Sequence, residues 1–452
     1  MRVMSFCRLL AVCLLMVHAA APSLALAQGV SQTPEPPGDR LGIASSGTLV
    51  VIGGAVKDGN DAVWQAVVTA AGGPGSLIIV LPTASSDPER AGLLTAEQLQ
   101  LRGARTQVLP IAPRWPGSSL EAARRAAQDP RWLQALASAQ GVFFTGGEQE
   151  RLLDTLRPGD KDSPLMTSIR ALWARGGVVA GTSAGAAVMS QVAIRGLDDP
   201  FEALLRPLQT GEWGAGFGLT PAHVVTDQHF LRRGRAPRLA RLLLQSGRVL
   251  GLGVDEDSAA IVRGGQAQAV GARGLLFIDS TQAQVSLEAP AGPHAAPGSA
   301  LRVEGLRLSY VDRGDRFDLH ARRVLTPASR KPLPAGREAG RPAFFGDILM
   351  EHAIVNAMAQ AAEGDGRQAR GLAWQPERTL GFEWTFTRDE HTRAWGGPTR
   401  DDHTFEGVRL DIRPVKMAHP VYQDIDRLPS GTAPKMPPPA SQGDGAPRAP
   451  SG

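Results

Sequence analysis

Gly176-Gly177-Val178-Val179-Ala180-Gly181-Thr182-Ser183-Ala184-Gly185-Ala186-Ala187 is the stretch from which this chain is best read. A short apolar run ends in Gly-x-Ser-x-Gly, and a small-residue helix pattern follows. That is the grammar of a nucleophile elbow, in which a strand delivers a serine to a sharp turn and a helix begins behind it. Gly181 and Gly185 remove side chains that would crowd the turn, and one of them is expected at positive φ. The helix N-terminus would point amide N–H groups at developing negative charge. A plain Gly-rich strand-to-helix turn with an idle serine has the same spelling, so the motif needs company before it means catalysis.

The chain upstream supplies that company. Leu49-Val50-Val51-Ile52 reads as a buried strand stopped by Gly53-Gly54. Leu77-Ile78-Ile79-Val80-Leu81 is a second, followed by the loop Pro82 to Ser86. Gln107-Val108-Leu109-Pro110 is a third, and Gly141-Val142-Phe143-Phe144 a fourth, ending at Thr145-Gly146-Gly147. Helical patterns separate them, over Asp61–Ala71 and Leu93–Leu101 among others. Strands apolar throughout and alternating with helices predict an α/β fold, a parallel sheet sandwiched by helices. Ligands of such sheets bind beyond the carboxyl ends of the strands, where Gly53-Gly54, Pro82–Ser86, Gly146-Gly147 and Ser183 all fall.

Downstream, Val224 to Phe230 reads as a short strand entering a loop, with Arg232, Arg233, Arg235 and Arg238 behind it. Pro237 suits a helix start. Leu250 to Val254 is a strand running into Asp255-Glu256-Asp257. A final strand pair near 267–270 and 275–278 closes the first domain, 47–288. Residues 289–300, rich in Pro, Gly and Ala, read as a linker. Alternating apolar residues at Leu306/Leu308/Tyr310, Leu380/Phe382/Trp384/Phe386 and Val408/Leu410/Ile412 predict half-buried antiparallel strands. With a helix over Phe344–Ala359 they make residues 301–425 a C-terminal α+β extension. Residues 426–452 have the composition of a disordered tail.

The 452 residues suffice for two or three domains. Residues 1–27 have the pattern of a cleaved signal peptide: Arg2 and Arg8, an apolar Leu9–Val17, and Ala25-Leu26-Ala27 before Gln28. Pro22 and the short apolar run argue against a stable membrane anchor. Residues 28–46 form a flexible entry, and the expected location is secreted, periplasmic or extracellular. The formal net charge is +4, and removing the two leader arginines leaves the mature chain near +2. That is too mild to argue for nucleic acid as a partner. Both cysteines, Cys7 and Cys13, lie in the leader, which excludes a cysteine nucleophile, a disulfide framework and a thiolate metal site from the mature chain.

A serine hydroxyl needs a base, and the base an orienting acid. His229 and Glu256 follow strands at the expected functional edge, giving a serine–histidine–acid set in that chain order. Either residue alone also fits a structural histidine or a solvated acidic turn. The usual α/β-hydrolase order is serine, acid, histidine. A general esterase or amidase would therefore take an earlier acid and a later histidine such as His352 or His403. A secreted binding protein with an inert pocket is the non-enzymatic alternative.

Taken together, Gly53-Gly54, Phe144-Thr145-Gly146-Gly147-Glu148-Gln149, Gly181 to Gly185, Asp227-Gln228-His229-Phe230 with its arginines, and Gly251 to Asp257 resemble the cyanophycinase family of serine peptidases, which also includes aspartyl dipeptidase. The resemblance covers about residues 48–280. It implies a fold like that of class I glutamine amidotransferases, with serine in place of their cysteine. It implies Ser183 as nucleophile, His229 as base and Glu256 as orienting acid. Gln149, Asp227, Gln228, Arg233, Arg235 and Arg238 fall where the family places substrate-pocket residues. The implied substrate is cyanophycin, a poly-aspartate backbone bearing arginine on each side-chain carboxyl, or a related β-aspartyl peptide.

Guanidinium forks suit the α-carboxylates of such a polymer, and Arg235 and Arg238, three apart, would share a face in a first helical turn. Glu148 or Asp257 is a candidate partner for its guanidinium groups. The backbone N–H groups of Gly147 and Ala184 are the candidate oxyanion hole. No cofactor and no metal are called for, and a homodimer is an allowed assembly. The leader and the long extension depart from the family's common core.

Overall fold

The computed structural model describes residues 47–286, 300–325, 330–334, 343–364, 366–397, 399 and 402–418. The expected leader, flexible entry, tail and nearly all of the expected linker lie outside these residues.

The first part alternates strand and helix: β1 (Thr48–Ile52), α1 (Asp61–Ala70), β2 (Leu77–Leu81), α2 (Pro88–Leu101), β3 (Arg105–Val108), α3 (Leu120–Ala126), α4 (Pro130–Ser138), β4 (Gly141–Phe144), α5 (Gln149–Leu156), α6 (Pro164–Ala174) and β5 (Val178–Thr182). Local chemistry starts these helices. The side chains of Asn60, Asp87, Ser119, Asp129 and Ser163 each accept a first-turn N–H, and proline opens α2, α4 and α6. Strands β1, β5, β4, β2 and β3 pair in that order, all parallel. Val50, Ile52, Ile78, Val80 and Phe143 enter one core cluster, while Leu49, Val51, Ile79, Leu81 and Phe144 enter another. Apolar residues at every position thus mean two covered faces, as a sandwiched parallel sheet requires.

Then come the one-turn α7 (Ala184–Ala187), a small hairpin of β6 (Val192–Ile194) and β7 (Trp213–Ala215) enclosing α8 (Glu202–Leu205), β8 (Val224–Asp227), α9 (Ala236–Ser246), β9 (Leu250–Val254), β10 (Ser258–Arg263), β11 (Gln266–Gly271), β12 (Leu275–Asp279) and β13 (Gln284–Val285). The last part adds β14 (Val303–Val311), β15 (Arg316–Asp318), β16 (Arg323–Leu325), β17 (Lys331–Pro332), β18 (Phe344–Phe345), α10 (Ala353–Glu363), β19 (Gln368–Ala373), β20 (Leu380–Thr387), β21 (Arg393–Gly396) and β22 (His403–Lys416).

The expected closing pair does not stay together. β11 joins the first sheet through β10, a strand not anticipated from the sequence. β12 instead pairs with β9 and β14 in a second sheet, ordered β18-β19-β20-β22-β14-β12-β9-β8. In the other direction β15 and β16 extend the first sheet to nine strands. The extension is therefore woven into both sheets, and residues on either side of 287–299 belong to one compact unit. The sheets meet where Phe277 of β12 stacks on Phe317 of β15, ring centroids 3.9 Å apart.

The helix expected over Phe344–Ala359 begins at Ala353 instead. The chain before it is engaged elsewhere: Phe344-Phe345 pairs with Arg370-Gly371, and the Ile348 N–H donates to the Leu372 carbonyl at 2.8 Å. Those N–H and C=O groups are unavailable to a helix.

Candidate active site

Two pairs of parallel strands meet end to end. β1 and β5 lie side by side in the first sheet, and β8 and β9 in the second. Ser183 follows β5, His229 lies beyond β8 and Glu256 beyond β9. The backbone at the end of β1 joins them. The Gly53 carbonyl accepts the His229 N–H at 2.8 Å, and the Gly54 carbonyl accepts the Asp257 N–H at 2.8 Å. The Ser183 N–H donates to Ile52 O at 3.0 Å.

The side chains make a continuous relay. Ser183 Oγ is 2.8 Å from His229 Nε2, and His229 Nδ1 is 2.6 Å from Glu256 Oε1. A carboxylate only accepts, so the imidazole carries its proton on Nδ1 and offers the Nε2 lone pair to the serine hydroxyl. Gly54, at φ 107, leaves room for the ring: a Cβ there would sit 2.5 Å from His229 Nε2.

The turn at the serine differs from the expectation in one respect. Neither Gly181 nor Gly185 has positive φ; Ser183 itself does, at φ 52, ψ −114. The glycines serve close approach instead. A Cβ on Gly181 would lie 2.5 Å from the Gly185 carbonyl oxygen, and one on Gly185 2.6 Å from that of Phe144. His229 is also at positive φ, 46°. Two strained non-glycine residues facing each other are the signature of a backbone held for a purpose by its surroundings.

Gly146 and Gly147 pass beside the serine; a Cβ on Gly146 would be 3.2 Å from Ser183 Cβ. Among the described residues, neither the Gly147 nor the Ala184 N–H has a backbone acceptor outside its own element. Gln149, the first residue of α5, donates its side-chain N–H to the carbonyls of Ile194 and Arg195 at 3.2 and 2.7 Å. It holds the segment after β6 against this loop.

The arginines separate into different roles. Arg233 is 53% exposed, its Nε 3.8 Å from Glu256 Oε1. Arg235 is buried, donates to the Gln228 carbonyl at 2.9 Å, and burial lowers its pKa to about 10. Arg238 and Asp227 are 2% and 1% exposed and form a two-pronged pair, Nε–Oδ2 2.8 Å and Nη2–Oδ1 2.6 Å. The expectation that Arg235 and Arg238 present a shared face to substrate is corrected here. Both lie inside: the Asp227 carboxylate accepts from Arg238, and Arg238 also donates through Nη1 to the Leu197 carbonyl at 2.9 Å. Gln228 is buried beside Asp227, whose Oδ1 accepts its N–H at 2.9 Å.

The proposed acids for a substrate guanidinium also have partners. Glu148 accepts from Arg151 at 2.5 Å, and Asp257 from the Lys57 N–H and Asn60 Nδ2 at 3.0 and 2.8 Å. Of the alternative histidines, His403 is buried and 2.8 Å from Glu363, and His352 lies against Glu351 at 3.3 Å. The imidazole bonded to Ser183 is that of His229.

The extension reaches this site by a route that spacing gave no hint of. Glu351 bonds Arg232, the residue before Arg233, from 119 positions away. A Cβ on Gly234 would meet the Leu349 carbonyl at 2.7 Å. The Arg232 N–H also donates to buried Asp255, whose carboxyl burial pushes above the usual range.

Burial holds the His229 pKa below its ordinary value, aided by Arg233 and Arg235 and opposed by Glu256. The neutral imidazole therefore persists to lower pH than that of a free histidine. The acid inflection of kcat/KM is expected below about 6.5, and Arg233→Gln should move it upward by removing a repelling cation. A pH–rate profile of both proteins checks this; an unchanged or lowered inflection in the variant contradicts the assignment.

The sequence profile of peptidase family S51 matches residues 49–270. Over 295 residues the chain is 33% identical to the "Cyanophycinase" of Trichormus variabilis, covering 64% of this chain and 90% of that one. Over 277 residues it is 31% identical to the "Cyanophycinase" of Geminocystis herdmanii, covering 60% and 93%. A crystal structure of a peptidase from an acI-B1 Actinobacterium aligns with TM-score 0.41 and 22% identity, over 52% of this chain and 91% of that one. The family profile and these relatives define a serine-type peptidase. The chain belongs to peptidase family S51.

Proposed function

We propose that this protein is a secreted peptidase that hydrolyses cyanophycin to β-Asp-Arg dipeptides through Ser183, His229 and Glu256. The Ser183–His229–Glu256 hydrogen-bond relay carries the reading. The similarity to proteins named "Cyanophycinase" supports the substrate, and the composition of residues 1–27 supports secretion. Ser183 Oγ attacks a backbone carbonyl while His229 Nε2 takes its proton. The N–H groups of Gly147 and Ala184 receive the oxyanion. His229 returns the proton to the leaving amine, and water then releases the acyl group by the same path. Glu256 stabilises the imidazolium in both halves.

Arg233 is the arginine of this loop suited to a substrate carboxylate, being exposed and beside the relay. Arg233→Gln should reduce kcat/KM on cyanophycin by about tenfold, as expected for a half-exposed charge-assisted hydrogen bond of roughly 1.5 kcal/mol. A small activated ester has no carboxylate to hold and should be much less affected. Equal loss on both substrates would make Arg233 a structural residue. Incubation of purified protein with cyanophycin, with mass spectrometry for β-Asp-Arg, tests the substrate. No release from a protein whose Ser183 still takes a fluorophosphonate label would leave a serine peptidase with a different substrate.

A further inference from the structure

Among the described residues, the second sheet has one face that no helix covers. Val408, Leu410 and Ile412 of β22 and Phe382, Trp384 and Phe386 of β20 pack into the core that α9 and α10 share. Their neighbours along each strand face the other way. On β9 and β12 that opposite face is occupied, because Leu252 and Phe277 belong to the core of the first sheet. Beyond them it opens, and the side chains become charged. Arg409, Asp411 and Arg413 alternate in sign along β22, with Glu383 opposite Arg413 and Thr385 between Asp411 and Arg370. A cleft of about 290 Å³ lies here, lined by Arg302, Glu304, Arg370, Glu383, Asp411 and Arg413.

The lining carries as many carboxylates as guanidinium groups, which disfavours an apolar ligand and gives no preference to a pure polyanion or polycation. Its spacing is set by the strand: same-face residues recur every ~6.8 Å. An extended polypeptide whose every residue carries a side group presents those groups on one side at the same ~6.8 Å period. In cyanophycin each side group holds both a guanidinium and a carboxylate, so each repeat can pair with either sign along β22. Arg413 Nε donates to Glu383 at 3.0 Å and Arg409 Nε to Asp411 at 3.0 Å. Such half-exposed pairs contribute little, about 0–1 kcal/mol, and exchange partners at small cost. Arg370 is exposed and bonds Gln368, with no carboxylate within ion-pair distance among the described residues.

We propose that this face is a second, non-catalytic binding surface for a zwitterionic polymer, holding an extended strand of cyanophycin while chain ends are cut at Ser183. The proposal rests on the substrate reading above and adds to it a site carried by the extension. Its occupant is the polymer, chosen because every one of its repeats carries both signs of charge, which matches the both-signed lining at each position along the strand.

The test uses the full-length protein in a Ser183→Ala background, so that the polymer survives. Co-sedimentation with insoluble cyanophycin should weaken by about tenfold in Arg370→Gln/Arg413→Gln, two exposed charge contacts being removed. In the Ser183 protein the same pair of changes should slow granule digestion while leaving kcat/KM on a soluble β-Asp-Arg oligomer and Tm unchanged. Undiminished sedimentation would overturn the proposal, as would equally tight binding of poly-aspartate or polyarginine. Loss of oligomer cleavage alongside would also overturn it, by making the arginines part of the fold. Failure of the wild type to digest either form, with sedimentation still sensitive to the arginines, would instead sink the catalytic reading and leave the surface standing.

Discussion

Ser183→Ala is expected to lower kcat/KM on a peptide substrate by at least about 10^4-fold and to leave the fold intact. The nucleophile cannot be replaced by its neighbours. His229 Nε2 and Glu256 remain in place, but no hydroxyl is left for the imidazole to activate. The variant is expected to fold, because alanine and serine meet the same restriction at φ 52. The Ser183 N–H bond to Ile52 O is made by the main chain and survives the change. Residual turnover above water would come from oxyanion donors and binding alone. Glu256→Gln should do less but still substantial damage, since an amide holds the ring without stabilising its cation. Near-wild-type turnover of the Ser183→Ala protein, with an unchanged Tm, would falsify the nucleophile assignment.

The largest effect on stability is expected at the pair least visible from outside. Arg238→Ala should cost about 3–5 kcal/mol, because it strands the Asp227 carboxylate in a buried site. Asp227→Ala should cost a similar amount by stranding the guanidinium. The joint change Asp227→Leu/Arg238→Met removes both charges and should recover a large part of the loss. Chemical denaturation of the three variants measures this directly. Equal destabilisation by the single and joint changes would mean that the bond from Arg238 to the Leu197 carbonyl matters more than the ion pair. Because Asp227 ends β8 two residues before His229, the pair also fixes where the base emerges.

Much of the site was legible in the sequence because its parts are local. A continuous apolar run names a doubly covered strand, and Gly-x-Ser-x-Gly after one names an elbow. Strand ends at Asp227 and Val254 then put His229 and Glu256 near the same edge. What the sequence withheld was partnership. Apolar runs do not say which strands lie side by side, so β8 and β9 read as members of one parallel sheet when they begin a second. Ser258-Ala259-Ala260-Ile261 is too rich in small residues to stand out as the start of a strand, though Ala259–Val262 pairs with Leu49–Ile52 of β1. Arginines at 235 and 238 read as a substrate-facing pair until Asp227 and the Gln228 carbonyl are found as their partners. The glycines of the elbow relieve the crowding expected there, against Phe144 and Met189, while the positive φ expected of one of them falls on Ser183. Glu351 had no signal at all, because nothing in a spacing of 119 residues marks it as the partner of Arg232.

The pairing of β12 with β14 gives the chain's boundaries a different meaning from the one the family profile suggests. The profile of peptidase family S51 ends at residue 270, inside β11, yet the sheet that positions His229 and Glu256 continues through β12 into β14 and β22. A polypeptide cut at the family's border would lack the strand that shields β9 along one side. It would offer a row of naked main-chain donors and acceptors to any neighbouring molecule. The stretch matched by the family profile and the self-sufficient folding unit are therefore not the same length of chain, and excising the former invites edge-to-edge aggregation.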